Sequence, residues 1–191
     1  MKSFNHPIKP LLVIIFFMIA LFPSISEATT RNSIHQPLKE SAALLRRNPV
    51  RNDTWSMVPT VVICNSDMIE ISKVESAIGW WRERGYDIGI IVVNIPGSIC
   101  HQAGWDGVIT IEGPDAMFDF DYLAITHRKA SRNEILSARI QLRAYSKKDR
   151  ILEHEIGHAL GWSHCNRRGH IMNPEWSRGG WNDIGLVTDV D

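Results

Sequence analysis

The sequence predicts one domain of mixed α+β or α/β class: a twisted mixed sheet of about five strands, a backing helix, and a second helix near the C-terminus. Three observations predict it. A β-branched run, PTVVIC (59–64), precedes a helical apolar stripe and a second β-branched run, DIGIIVVN (87–94). Three more strand-like runs follow at 107–112, 121–127 and 134–142. A second helical pattern then spans about Lys147 to Leu160 and stops at Gly161.

The chain opens with a leader pattern. Lys2 and Lys9 precede an uncharged run from Leu11 to Phe22, and Ser26 and Ala28 are small residues suited to a cut after Ala28. This is the layout of a signal peptide over residues 1–28, and the run is short for a membrane span, which needs about 20 residues. The expected protein is exported, to the extracellular space or the periplasm. A membrane-anchored form with an uncleaved leader is the alternative, and without that anchor no stable membrane association is expected. Removing 28 of 191 residues leaves 163, enough for one domain with a sizeable core.

Residues 29–57 form a polar stretch with Pro37, Pro49 and the basic residues Arg46, Arg47 and Arg51. They are expected to be a linker or a removable propeptide ahead of a catalytic domain at 58–191.

From Val58 the pattern becomes regular. Residues 59–64 read as a buried strand. Ser66 is a candidate cap, and Met68, Ile71, Val74, Ile78 and Trp81 form a helical stripe ending at Gly85. Residues 87–94 supply the next strand, and strand–helix–strand implies a parallel pair with a right-handed crossover. In the last strand, Ile135, Ser137, Arg139 and Gln141 alternate with Leu136, Ala138, Ile140 and Leu142, which predicts a half-exposed element.

Ser146 and Asp149 resemble a capping box for the second helix. Leu152, Ile156, Ala159 and Leu160 share its core side. His154 and His158, four apart, share another face and can reach one ion. Gly161 can turn the chain so that His164 becomes a third ligand. Three imidazoles plus water is a catalytic zinc arrangement, and Glu155 lies beside the ion, placed to move a proton.

The segment HEIGHALGWSH (154–164) fits H-E-x-x-H-x-x-G-x-x-H, and His170-Ile171-Met172-Asn173-Pro174 follows it. Together these resemble the metzincin zinc metalloproteases, most closely the matrixin branch, with Met172 as the Met-turn. The resemblance implies a zincin-like catalytic domain with one antiparallel edge strand above the cleft, Tyr122–Thr126, backed by Ile135–Leu142. It implies one catalytic Zn²⁺ held by His154, His158 and His164, with Glu155 as general base for hydrolysis of a protein or peptide substrate through a zinc-bound water. The alternative is a zinc-stabilised binding or inhibitory module without proteolytic activity.

The remaining signals are weaker. Asp115, Asp119 and Asp121 are candidates for Ca²⁺, weighed against a solvated acidic loop. His170 is expected at the surface. Trp162 either lines the cleft or packs beneath the loop, and Trp176 and Trp181 either shape a specificity pocket or fill the core. Among Cys64, Cys100 and Cys165 one bridge can form, and which one stays open, as does the oligomeric state. With 21 basic and 21 acidic residues the charge balances, so no nucleic acid partner is expected.

Overall fold

The computed structural model describes residues 25–31, 48–64, 66–95, 100, 104–143 and 148–186. Seven strands form one sheet: β1 (Ile25–Arg31), β2 (Thr54–Trp55), β3 (Thr60–Cys64), β4 (Ile91–Ile95), β5 (Val108–Glu112), β6 (Tyr122–Ser131) and β7 (Glu134–Leu142). Helices α1 (Ile71–Arg82) and α2 (Ile151–Ala159) accompany them. The strand order is β1-β6-β7-β5-β3-β4, with β2 added to β7. β3 pairs in parallel with β4 and β5, and β7 in parallel with β5 and β2, so the sheet is mostly parallel. Only β6 runs against its neighbours, β7 and β1. This is a mixed α/β fold, as the sequence predicts in general class.

The β3–α1–β4 crossover forms as expected. Helix α1 follows a short 3₁₀ turn at Ser66–Met68 instead of starting at Ser66. Met68 is exposed, so the buried stripe is Val74, Ala77, Ile78 and Trp81. Gly85, at φ +84°, turns the chain after the helix. β4 begins at Ile91 rather than Asp87; ahead of it Arg82 holds the carbonyls of Ile88 and Gly89, while the Gly89 amide donates to Pro59 O and Ile90 O accepts from the Val61 amide. β6 and β7 are joined by Arg132 and Asn133, both at positive φ, as a two-residue hairpin that matches strand twist requires.

The main core lies between one sheet face and both helices. Val61, Ile63, Ile109, Ile111, Ala138 and Ile140 meet Val74, Ile78 and Trp81 of α1 and Ile156 and Ala159 of α2. On the opposite face Val62 and Cys64 pack with Cys100, to which Cys64 is disulfide-bonded; Cys165 is a buried free thiol. The bridge is therefore one of the three open pairings. β7 is more buried than its alternation predicts: Ile135, Ser137 and Gln141 are nearly inaccessible. It is a central strand, with β6 on one edge and β5 on the other.

Candidate metal centre

Helix α2 begins after Arg150, which sits at φ +75° with no side-chain cap. Ser146, the expected cap, lies outside the described residues. One helical turn separates His154 from His158, and both are buried.

The end of α2 is fastened by a segment from far upstream. Arg128 Nη1 donates to the His158 carbonyl at 2.5 Å, Trp55 Nε1 to Ala159 O at 2.9 Å, and Arg51 Nε to Leu160 O at 3.0 Å. The Asn52 amide donates to Gly161 O at 3.0 Å. Four consecutive carbonyls at the helix end thus each accept a bond from outside the helix, His158 O in addition to the one from the Gly161 amide. Val50 and Ser163 add a reciprocal pair: the Ser163 amide donates to Val50 O at 2.9 Å, and the Val50 amide to Ser163 Oγ at 3.0 Å. Residues 48–55, the end of the stretch expected to be a linker or propeptide, therefore form a strap across the helix end and the loop to His164. Gly161 is at φ +102°, and a Cβ there would collide with the Asp53 carbonyl oxygen. The turn thus needs glycine for conformation and for space.

The turn brings His164 back onto the helix. The three Nε2 atoms lie 3.0 Å (154–158), 2.9 Å (158–164) and 3.3 Å (154–164) apart. Three nitrogens at zinc distance around a tetrahedral ion would be about 3.3 Å apart, so the cluster is close to ligand spacing. Among the described residues these histidines are the one group of three or more side chains able to hold a metal ion. His154 Nδ1 donates to Ile171 O at 2.6 Å and His158 Nδ1 to Trp162 O at 2.7 Å. Each bond fixes the ring and its tautomer and leaves Nε2 as the ligand atom. Burial, reinforced by the nearby His170 and Arg150, lowers the His154 pKa to about 4; burial, reinforced by the neighbouring rings of the cluster, lowers that of His164 to about 3 and puts His158 well below its ordinary value. All three are neutral imidazoles near pH 7, the form a metal binds.

Glu155 is fully buried beside the cluster. Thr126 Oγ1, from β6, donates to Glu155 Oε2 at 2.6 Å. Met172 lies beneath the helix, fully buried. A Cβ on Gly157 would sit 2.6 Å from Met172 Sδ and 2.7 Å from Trp81, so this glycine lets the turn pass close under α2. The Met172 amide donates to His170 Nδ1 at 3.0 Å, and Met172 O accepts from the Cys165 amide at 3.0 Å. His170 is fully buried, not at the surface as expected: its second nitrogen reaches Ile184 O at 3.2 Å, and it ties two loops together.

Trp162 also has a defined place. Its Nε1 donates to Tyr86 Oη at 2.9 Å, and Tyr86 Oη donates to Leu186 O at 2.5 Å, so it packs under the loop in the core. Trp176 is half-buried against Leu123, Ala124 and Ile151 and donates to Asp149 O at 3.2 Å, whereas Trp181 is half exposed beside Trp80. The three aspartates do not converge. Asp115 pairs with Arg139 at 2.8 Å and accepts the Met117 amide at 2.9 Å, while Asp119 accepts the Asp121 amide at 3.0 Å. Thr126, Arg128, His170 and the strap residues Arg51 and Trp55 were not legible as site residues. The available hints were a tryptophan in a polar stretch and polar residues at alternate positions of an expected strand. No protein-family model matches the chain, and no curated protein matches it.

Proposed function

We propose that this protein is an exported zinc endopeptidase of metzincin type, most similar to the matrixins, with residues 1–28 removed as a leader. The observation that carries the reading is the convergence of three neutral imidazole Nε2 atoms, 2.9–3.3 Å apart, next to a buried glutamate. His154, His158 and His164 would hold the ion, and an all-imidazole set of three suits zinc. When bound, zinc supplies Lewis acidity that acidifies water and polarises a carbonyl.

The chain's own groups do the rest. Glu155 accepts the proton from the attacking water and passes it to the departing amine. The Thr126 hydroxyl donates to one carboxylate oxygen and so orients the carboxylate. Ile171 O and Trp162 O hold two ligand rings in place. Met172, seated by His170 and Cys165, floors the site without touching substrate. A peptide substrate would lie antiparallel to β6, adding to the sheet through backbone hydrogen bonds.

The test is metal content and cleavage of a mixed peptide library by the exported protein, with Glu155→Ala alongside. The variant is expected to keep one zinc per chain and lose nearly all turnover. Zinc retained with undiminished cleavage in Glu155→Ala would sink the mechanism.

A further inference from the structure

The three imidazoles of the centre are not held alike. His154 and His158 sit on one helix, and each ring is pinned by an Nδ1 bond, to Ile171 O and to Trp162 O. Among the described residues the His164 ring has no such bond: its Nε2 meets only the other two rings, at 3.3 and 2.9 Å. Its position therefore depends on the backbone that carries it, which lies beyond the end of α2.

Upstream of His164 that backbone is held by the strap. Residues 160–163 run antiparallel to it, with Arg51 bridged to Trp162. Leu160 O, Gly161 O, the Ser163 amide and Ser163 Oγ bond to Arg51, Asn52 or Val50, all at 2.9–3.0 Å. Downstream, Arg167 Nη2 donates to Asn48 Oδ1 at 2.6 Å, and the Cys165 amide donates to Met172 O at 3.0 Å. The strap has its own seat on the sheet. The Thr54 amide donates to Asn133 O at 3.0 Å, Thr54 and Trp55 pair with Glu134 and Ile135 of β7, and Asp53 pairs with Arg128 of β6 at 3.5 Å. Arg128 is buried and also holds the His158 carbonyl. One guanidinium thus joins the strap, the sheet and the helix that carries the other two ligands.

We infer that residues 48–53 are the positioning device for the third metal ligand, holding the 160–163 loop so that His164 Nε2 reaches the other two. A helix presents two imidazoles four residues apart by itself, but not a third that follows a chain reversal. Without the strap the centre is a two-histidine site with a loosely held third ring. That ring must then be ordered when an ion binds, and the ordering costs affinity. The expected loss is that of a missing outer support, roughly tenfold to a hundredfold in metal affinity.

The inference rests on the metal centre of the proposed reading and not on peptide cleavage. It is tested on the full-length chain by zinc transfer to a competing chelator at neutral pH and by the visible absorption of the Co²⁺-loaded protein. The double variant Arg51→Ala/Asn52→Pro removes the donors to Leu160 O and Gly161 O. It is expected to release zinc roughly tenfold faster or more, and to dim the visible cobalt bands as the ion exchanges an imidazole for water. In a His164→Ala background the same double change should alter neither readout further, because both act through one ligand. A strap that only stabilises the fold would lower Tm, leave the cobalt spectrum as it is and add its effect to that of His164→Ala; that result overturns the inference. Ser163→Ala is the mild variant, losing only the bond from the Val50 amide. It is expected to speed zinc transfer roughly fivefold, the factor one hydrogen bond is worth, and Ser163→Thr should restore the wild-type rate. Wild-type zinc retention in both Ser163→Ala and the double variant also overturns the inference. A wild-type chain that takes up neither metal defeats the metal reading and the inference with it. Metal binding that depends on the strap, in a chain that cleaves no peptide, upholds the inference and defeats only the endopeptidase reading.

Discussion

Thr126 and Glu155, 29 residues apart, meet through a 2.6 Å hydrogen bond between a hydroxyl on the sheet and a carboxylate on the helix below it. Both side chains are fully buried. The bond fixes one oxygen of the proposed base and so sets the direction of the other.

Thr126→Val removes the donor and keeps the shape. It is expected to lower kcat by roughly tenfold, equivalent to about 1.4 kcal/mol in the barrier, within the range of a hydrogen bond to a charged group. KM and zinc content should not change. Thr126→Ser restores the hydroxyl and should recover most of the rate; an equal loss in both variants would show that packing, not orientation, matters at this position.

Gly161→Ala tests the turn that delivers His164. The residue sits at φ +102° against the Asp53 carbonyl, so alanine is both strained and obstructed. A loss of about 2 kcal/mol is expected, which lowers Tm by roughly 4–8 °C for a domain of this size. Thermal melts read it directly, and an unchanged Tm would mean that the strap does not press on the turn.

His170→Phe tests the brace beneath the metal. The substitution leaves the Met172 amide and the Ile184 carbonyl without their partner. Each buried orphan costs about 1–3 kcal/mol. Denaturant unfolding should show the loss, and zinc should pass faster to a competing chelator because Met172 is less firmly seated. Wild-type stability in the variant would contradict the brace.

Acid sensitivity follows from the histidines. Burial holds His154 at about 4 and His164 at about 3, below the ordinary 6.5. As pH falls below 6.5 the unfolded chain takes up protons that the folded chain refuses. Stability that is complete above that value is then lost down to about 4 and about 3 at the two sites, at about 1.4 kcal/mol per pH unit for each fully titrating ring. Melts of chelator-treated protein between pH 7 and pH 5 should shift steadily downward; melts that do not move over roughly that range would refute the shifts. With zinc present the drop should be steeper, since protons then also compete with the metal.

Much of the centre is local and therefore legible in the chain. The spacing of His154 and His158 is one helical turn, Gly161 ends the helix three residues after His158, a β-branched run marks β3, and the alternation of apolar residues marks β7. These features depend on the 3.6 and 2.0 periods of the backbone, which the residue order carries directly. The extent of α2 was less legible, because it starts at Ile151 after an uncapped Arg150 and not at a capping serine.

What only the tertiary structure decided lies in contacts between distant residues. Arg51, Trp55 and Arg128 close the carbonyl end of α2 across 109, 104 and 30 residues of sequence. His170 is a buried brace because two loops fold around it, and Trp162 is core because Tyr86 lies opposite. Cys64 pairs with Cys100 because β3 places it on the sheet face where Cys100 packs, away from Cys165. β1 seats on β6 because that edge is exposed and the segment's backbone can satisfy it. A backbone amide or carbonyl is the same group in every residue, so the chain's side-chain order cannot name its partner; the fold assigns it by bringing two strands or a loop and a helix end within hydrogen-bond reach.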